Sequence, residues 1–139
     1  MVKVKVSPEL DPLGPLINEL KKSSSEVGAV TVFVGVVRGA RGKEKVNRLE
    51  YEAHETSAPE AIRTIVEELK VKHGIFDAVV EHKTGEVKVG EDVMYVLVAS
   101  KHRREGRRAM AELVDRVKRE VPIWKKEVTE KGAYWVENP

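Results

Sequence analysis

Lys118 and Lys125 stand on either side of a helix-breaking Pro122 in the segment KREVPIWKKE, residues 118–127. Amines whose charge is disfavoured can transfer protons or attack an activated carbonyl. On one continuous helix, two lysines seven residues apart would share a stripe and both point to solvent. A helix that stops at Pro122 and continues into an apolar plug of Ile123 and Trp124 lets the chain fold back instead, so both ammoniums can face one pocket. Lys118 follows Val117 at the edge of an apolar helix face. There it either snorkels to water or, desolvated beside other cations, becomes a usable base or nucleophile, and Lys126 next to Lys125 strengthens the second reading.

A second concentration of charge precedes that helix. Lys101, His102, Arg103, Arg104, Arg107 and Arg108 crowd its start, opposed by Glu105. Cations there oppose the helix dipole, yet with free backbone N–H groups they form an anion site suited to phosphate. Charge alone fits either that site or a solvated helix start, with Arg107 and Arg108 assigned to solvent. Arg38 ends an apolar strand at a glycine-bearing loop, where a side chain emerges at a sheet rim; Phe33 in the same strand reads as core. His54, His73 and His82 lack a metal-ligand spacing, so no metal is expected. GARG at 39–42 has neither the spacing nor the helix context of a dinucleotide fingerprint.

The elements that must position these groups follow from periodicity. Val2 to Val6 alternates as a strand, and Asp11 with Pro12 reads as an N-cap and first helical residue before Leu13, Leu16, Ile17 and Leu20. Gly28 to Gly39 is a β-branched run of the kind that forms a central strand with both faces covered. Residues 39–45 form a basic loop, and Val46 to Ala53 a half-exposed strand. Ser57 and Glu60 make a capping-box pattern ahead of Ala61, Ile62, Ile65, Val66 and Leu69. Ile75 to Lys83 and Val87 to Val89 flank a hairpin turn at Thr84-Gly85-Glu86. Val93 to Ser100 is a strand, Met110, Leu113, Val114, Val117 and Val121 mark a third helix, and Ala133 to Glu137 closes as a strand. The order β-α-β-β-α-β-β-α-β indicates an α+β fold with helices packed on antiparallel sheet.

At 139 residues the chain fits one domain, 1–139, with room for a two-layer core. Its 41% apolar and 35% charged content describes a soluble globular protein. No apolar run approaches the 18 residues of a membrane span, and MVKVKV lacks a signal-peptide core, so a cytoplasmic location is the expectation. Zero cysteines exclude disulfides and thiolate chemistry, and a net charge of +2 is too small for a general nucleic-acid binder. The absence of glutamine beside abundant Lys, Glu and Arg is a bias common in thermophile proteins.

Taken together, FVGVVRG (33–39), LEYEAHE (49–55), HKTGEVKVGE (82–91), VASKHRRE (98–105), PIWKKE (122–127) and WVE (135–137) resemble the large, catalytic subunit of molybdopterin synthase. The resemblance runs in order from about residue 28 to 137. It implies an α/β-hammerhead-like domain with an additional antiparallel β-sheet. It implies a sulfurtransferase that adds two sulfurs to cyclic pyranopterin monophosphate, forming the dithiolene of molybdopterin. The sulfur donor would be a small ubiquitin-like carrier protein with a C-terminal Gly-Gly thiocarboxylate, and the assembly a homodimer within a heterotetramer. No cofactor, nucleic acid or membrane partner is implied. Lys118 and Lys125 match the family's active-site lysines. Arg38, His102 and Arg103 match its pterin- and phosphate-binding positions, Phe33 an aromatic near the pocket, and Lys126 and Glu127 its post-Trp segment. The loop at 39–45 differs in length and charge from the family's usual form, and the sequence stops at Pro139, where relatives often continue. Two other readings stay open on the residues alone: a module that binds an anionic nucleotide or RNA through 101–108, and a structural subunit without activity.

Overall fold

A computed structural model of the chain describes residues 3–136. In order these form β1 (Lys3–Ser7), α1 (Leu13–Leu20), β2 (Ala29–Val36), β3 (Ala40–Arg41), β4 (Glu44–Ala53), α2 (Ser57–His73), β5 (Asp77–Lys83), β6 (Gly85–Lys88), β7 (Asp92–Ser100), α3 (Arg103–Glu120), β8 (Ile123–Thr129) and β9 (Gly132–Val136). The class is α+β, as the periodicity indicates. One sheet has the order β1-β5-β7-β2, with β1 parallel to β5 and the other pairs antiparallel. Helices α2 and α3 cover the face that carries Ala78, Val80, Val96 and Val98. Helix α1 covers the opposite face, against Val79, Leu97 and Ala99. With both faces dry, β7 is buried along nearly its whole length. The second sheet is antiparallel: β4 lies at its centre, paired with β8 on one side and with β3 and β6 on the other, and β8 carries β9.

Several local expectations give way to tertiary contacts. The run 28–39 forms an edge strand rather than a central one: β2 pairs with β7 and leaves Val32 and Val36 exposed. Thr84-Gly85-Glu86 is not a hairpin between paired strands, because Gly85, at φ 80°, turns the chain out of the first sheet and β6 pairs with β4. The basic loop contains the β3–β4 hairpin. Asp11 does not cap α1; its carboxylate takes Lys3 Nζ at 2.9 Å and Lys5 Nζ at 3.0 Å, and its N–H donates to the fully buried Glu81 carboxylate at 2.8 Å. Ser57 is the first residue of α2, and its N–H donates to His54 Nδ1 at 3.1 Å, so an imidazole fills the capping role assigned to Ser57 and Glu60. Val2 and Glu137, the outer ends of the first and last expected strands, lie outside the described residues.

Helix α3 carries Lys118, and its seat on the first sheet depends on a close approach. Gly106 is buried, and a Cβ placed there would stand 2.6 Å from Ser100 Oγ and 3.0 Å from Thr31 Oγ1. Gly106→Ala would raise helix propensity, yet it forces α3 off β2 and β7. We expect a net loss of about 1–3 kcal/mol in urea denaturation, with overpacking outweighing propensity.

Candidate active site

A cavity of about 150 Å³ opens where the end of α3 meets both sheets. Phe33, Arg38, Tyr51, His82, Lys118, Lys125 and Glu127 line it together with aliphatic Val46, Leu49, Met94 and Val117. Helix α3 ends at Glu120, and the extended backbone at Val121, followed by Pro122, redirects the chain into β8. The reversal is pinned where His54 N–H donates to the Pro122 carbonyl at 3.1 Å. Strand β8 pairs with β4 so that Lys125 stands opposite Tyr51 and Glu127 opposite Leu49. Side chains alternate across a strand, so Lys125 and Glu127 point into the cavity while Trp124 and Lys126 point away. Arg38 reaches the rim just beyond β2, whose pairing with β7 is irregular at Gly35 and Val36.

Of the residues singled out from sequence, Phe33, Arg38, Lys118, Lys125 and Glu127 meet at this cavity. Lys126 lies on the other face of β8, with Nζ 3.4 Å from Glu50 Oε2 and 5.1 Å above the Trp135 ring. His102 and Arg103 sit at the start of α3, sixteen and fifteen residues before Lys118, which is about 22–24 Å of helix axis. His102 is exposed and 3.7 Å from Glu105. The chain folds back as expected, but the buried plug expected of Trp124 is absent: the residue is 51% exposed and lies in β8. Tyr51 and His82 joined the cavity without a sequence signal, since alternation gave Tyr51 no task and β5 is buried on both faces.

Known proteins share both sequence and fold with the chain. Residues 10–120 match the MoaE protein family. The chain belongs to that family. A molybdopterin synthase catalytic subunit from Pyrococcus abyssi is 43% identical over 115 residues, covering 83% of this chain and 78% of the relative. A crystal structure of molybdopterin synthase from Staphylococcus aureus superposes with a TM-score of 0.88 at 30% identity, covering 96% of each chain. A complex of subunits 1 and 2 of the molybdopterin-converting factor from Helicobacter pylori contains a chain with the same fold, at a TM-score of 0.75 and 20% identity, covering 99% of this chain and 90% of that one. As a MoaE family member, the chain is an enzyme of molybdenum cofactor biosynthesis, a sulfur-transferring catalytic subunit.

The MoaE cavity crowds three cations beside one carboxylate. Burial lowers Lys125 below the ordinary lysine value; Glu127 opposes that shift, and repulsion from Lys118 and Arg38 adds to it. Glu127 in turn has Arg41 Nε at 3.3 Å from its Oε2, so the β3–β4 hairpin braces the carboxylate. Burial, reinforced by the Glu127 charge, pushes the Tyr51 hydroxyl up to about 12, and it stays a neutral phenol. Among the described residues no group of three or more His, Asp or Glu side chains could hold a metal ion. What the cavity offers is amine acid/base chemistry and anion stabilisation.

Burial also pushes His82 down from its ordinary 6.5 to about 4. The unfolded chain takes up a proton near the ordinary value and the folded chain near the lowered one, so folding loses stability as pH falls through that window. The loss attributable to His82 amounts to about 3 kcal/mol between neutral pH and pH 4. His82→Phe should flatten the acid limb of urea-denaturation midpoints measured from pH 7 to 4.5; an unchanged limb would show that the ring is not held neutral.

Proposed function

We propose that the cavity is where sulfur passes from the C-terminal thiocarboxylate of a small ubiquitin-like carrier protein to cyclic pyranopterin monophosphate, giving the molybdopterin dithiolene. The observation that carries this reading is the convergence of Lys118, Lys125 and Arg38 on one small, partly apolar cavity in a chain with no cysteine. An enzyme that receives its sulfur ready-activated as a thiocarboxylate needs no sulfur nucleophile of its own. It does need cations, because both the phosphate and the thiocarboxylate are anionic. Lys118 acts as acid/base beside the thiocarboxylate carbonyl. Lys125, with its charge already disfavoured, stabilises negative charge that develops during transfer, and Arg38 holds the phosphate. Phe33 supplies an apolar face against the pterin, and Glu127 flanks the seat from β8, whereas Lys126, on the other face of that strand, takes no part. A two-subunit complex formed by a chain of the same fold in Helicobacter pylori supports a small partner subunit. The enzyme works in the cytoplasm, and no helix among the described residues is long and apolar enough to cross a membrane.

His102 and Arg103 enter this reading through a second copy of the chain. The length of α3 separates them from Lys118 within one subunit, so they serve the phosphate from the neighbouring subunit of a homodimer. Each end of that dimer would then take one carrier, giving the heterotetramer.

The reading is tested by reacting the purified chain with thiocarboxylated carrier and cyclic pyranopterin monophosphate, and by detecting dithiolene after oxidation to its fluorescent derivative. Wild type should form product, and Lys118→Ala should lose about a hundredfold or more. Lys118→Arg should not rescue, because guanidinium stays protonated. Product from Lys118→Ala at the wild-type rate would remove the lysine from its role. If the Lys118 amine attacks the carrier's terminal carbonyl, the C–S bond breaks, the sulfur leaves for the pterin, and water must later hydrolyse the Lys118–carrier amide. That amide would appear as a covalent adduct in mass spectrometry of a stalled reaction. Mixing Lys118→Ala chains with His102→Ala/Arg103→Ala chains tests the shared site: random reassociation should restore about a quarter of wild-type activity, whereas a site built within one subunit would restore none.

A further inference from the structure

Two buried titratable groups, Tyr51 and His82, line the cavity without a task in the chemistry above, and His82 is the one that can accept a hydrogen bond from a cation there. His82 is 7% exposed, on the wall formed by β5. Its Nδ1 lies 2.7 Å from the Lys83 carbonyl oxygen. A carbonyl accepts and cannot donate, so Nδ1 carries the ring proton, and Nε2 of the neutral imidazole is a lone-pair acceptor. The two ring nitrogens point in nearly opposite directions. With Nδ1 turned back to the backbone of its own strand, Nε2 is left as the free polar atom of a side chain that lines the cavity. Tyr51 meets the ring edge-on, with centroids 4.8 Å apart and planes at 68°, and with the Nδ1 hydrogen bond it fixes the ring's rotation.

A fixed acceptor in a cavity rich in donors has few possible partners. The donors are Lys118, Lys125 and Arg38. Of these, Lys118 is the cation whose charge acts on His82 itself. Lys118 and His82 line the same cavity of about 150 Å³. We propose that His82 is a positioning residue for Lys118, its Nε2 accepting a hydrogen bond from the Lys118 amine and fixing the direction of that amine once the reactants are seated. The proposal rests on the acid/base role of Lys118 advanced above. A neutral acceptor suits this task better than a carboxylate would. It orients one N–H without forming an ion pair that locks the proton on nitrogen, so the amine can both give and take a proton.

The test is a double-mutant cycle in the dithiolene assay with thiocarboxylated carrier. His82→Phe keeps a ring against Tyr51 and removes the acceptor; His82→Gln restores an acceptor oxygen at about the reach of Nε2. His82→Phe should lower kcat about ten- to a hundredfold and leave KM within about twofold. His82→Gln should recover most of that loss. In a Lys118→Ala background, His82→Phe should cost little further, because the residue it positions is already gone. Equal losses in Phe and Gln variants, or additive losses with Lys118→Ala, would overturn the proposal in favour of simple packing. Thermal unfolding of each variant separates misfolding from lost positioning, and His82→Gln carries the test if His82→Phe does not fold. Absence of product from wild type would reject the sulfur-transfer reading itself, whereas wild-type product with a fully active His82→Phe would reject this inference alone.

Discussion

The reversal of the chain at Val121 and Pro122 is the constraint on which the site depends. It ends α3 two residues beyond Lys118 and starts β8 close enough to β4 for seven strand residues to pair. Proline has no N–H for a continuing helix and forces its predecessor out of helical geometry, so the turn is written into the backbone rather than left to side-chain packing. The hydrogen bond from His54 N–H to the Pro122 carbonyl ties this turn to the end of β4 and the start of α2. Both sheets and the end of α3 therefore meet at one corner, and the cavity lies inside that junction.

Placing three cations at such a corner costs electrostatic free energy, and the structure offsets the cost in part. Glu127 enters from the same face of β8 as Lys125 and is braced by Arg41 from the β3–β4 hairpin. The remaining cost is the useful part. A lysine whose charge is disfavoured gains from any anion that arrives, so binding of an anionic substrate relieves repulsion already present in the empty site. Charges on the outer face of β8 show the contrast. Lys126 has Glu50 and the Trp135 ring beside it, faces water, and adds to sheet packing rather than to the cavity field.

The same division by strand alternation sorts the buried polar groups of β5. Glu81 faces the α1 side, where Asp11 and Lys3 meet it, and helps fix the N-terminal strand. His82, one residue on, faces the cavity. Adjacent residues on one buried strand thus serve two unrelated environments.

Local chemistry written in the residues determined a good part of this protein. Apolar periodicity located all three helices and most strands, because a face that must be buried repeats at the period of its own element. Lysines around a proline, and an arginine where an apolar strand ends, were legible as candidates because their types and breaks need no partner to be seen. The tertiary structure decided what depends on distant pairing. It made β2 an edge and β7 the centre, sent β6 to β4 in place of a hairpin, exposed Trp124, and set Lys126 on the face opposite Lys125. It drew Tyr51 and His82 into the cavity, and it held His102 and Arg103 a full helix length from Lys118. Periodicity states which face of an element is apolar; which other element covers that face is set by long-range packing, and the site is built from those long-range choices.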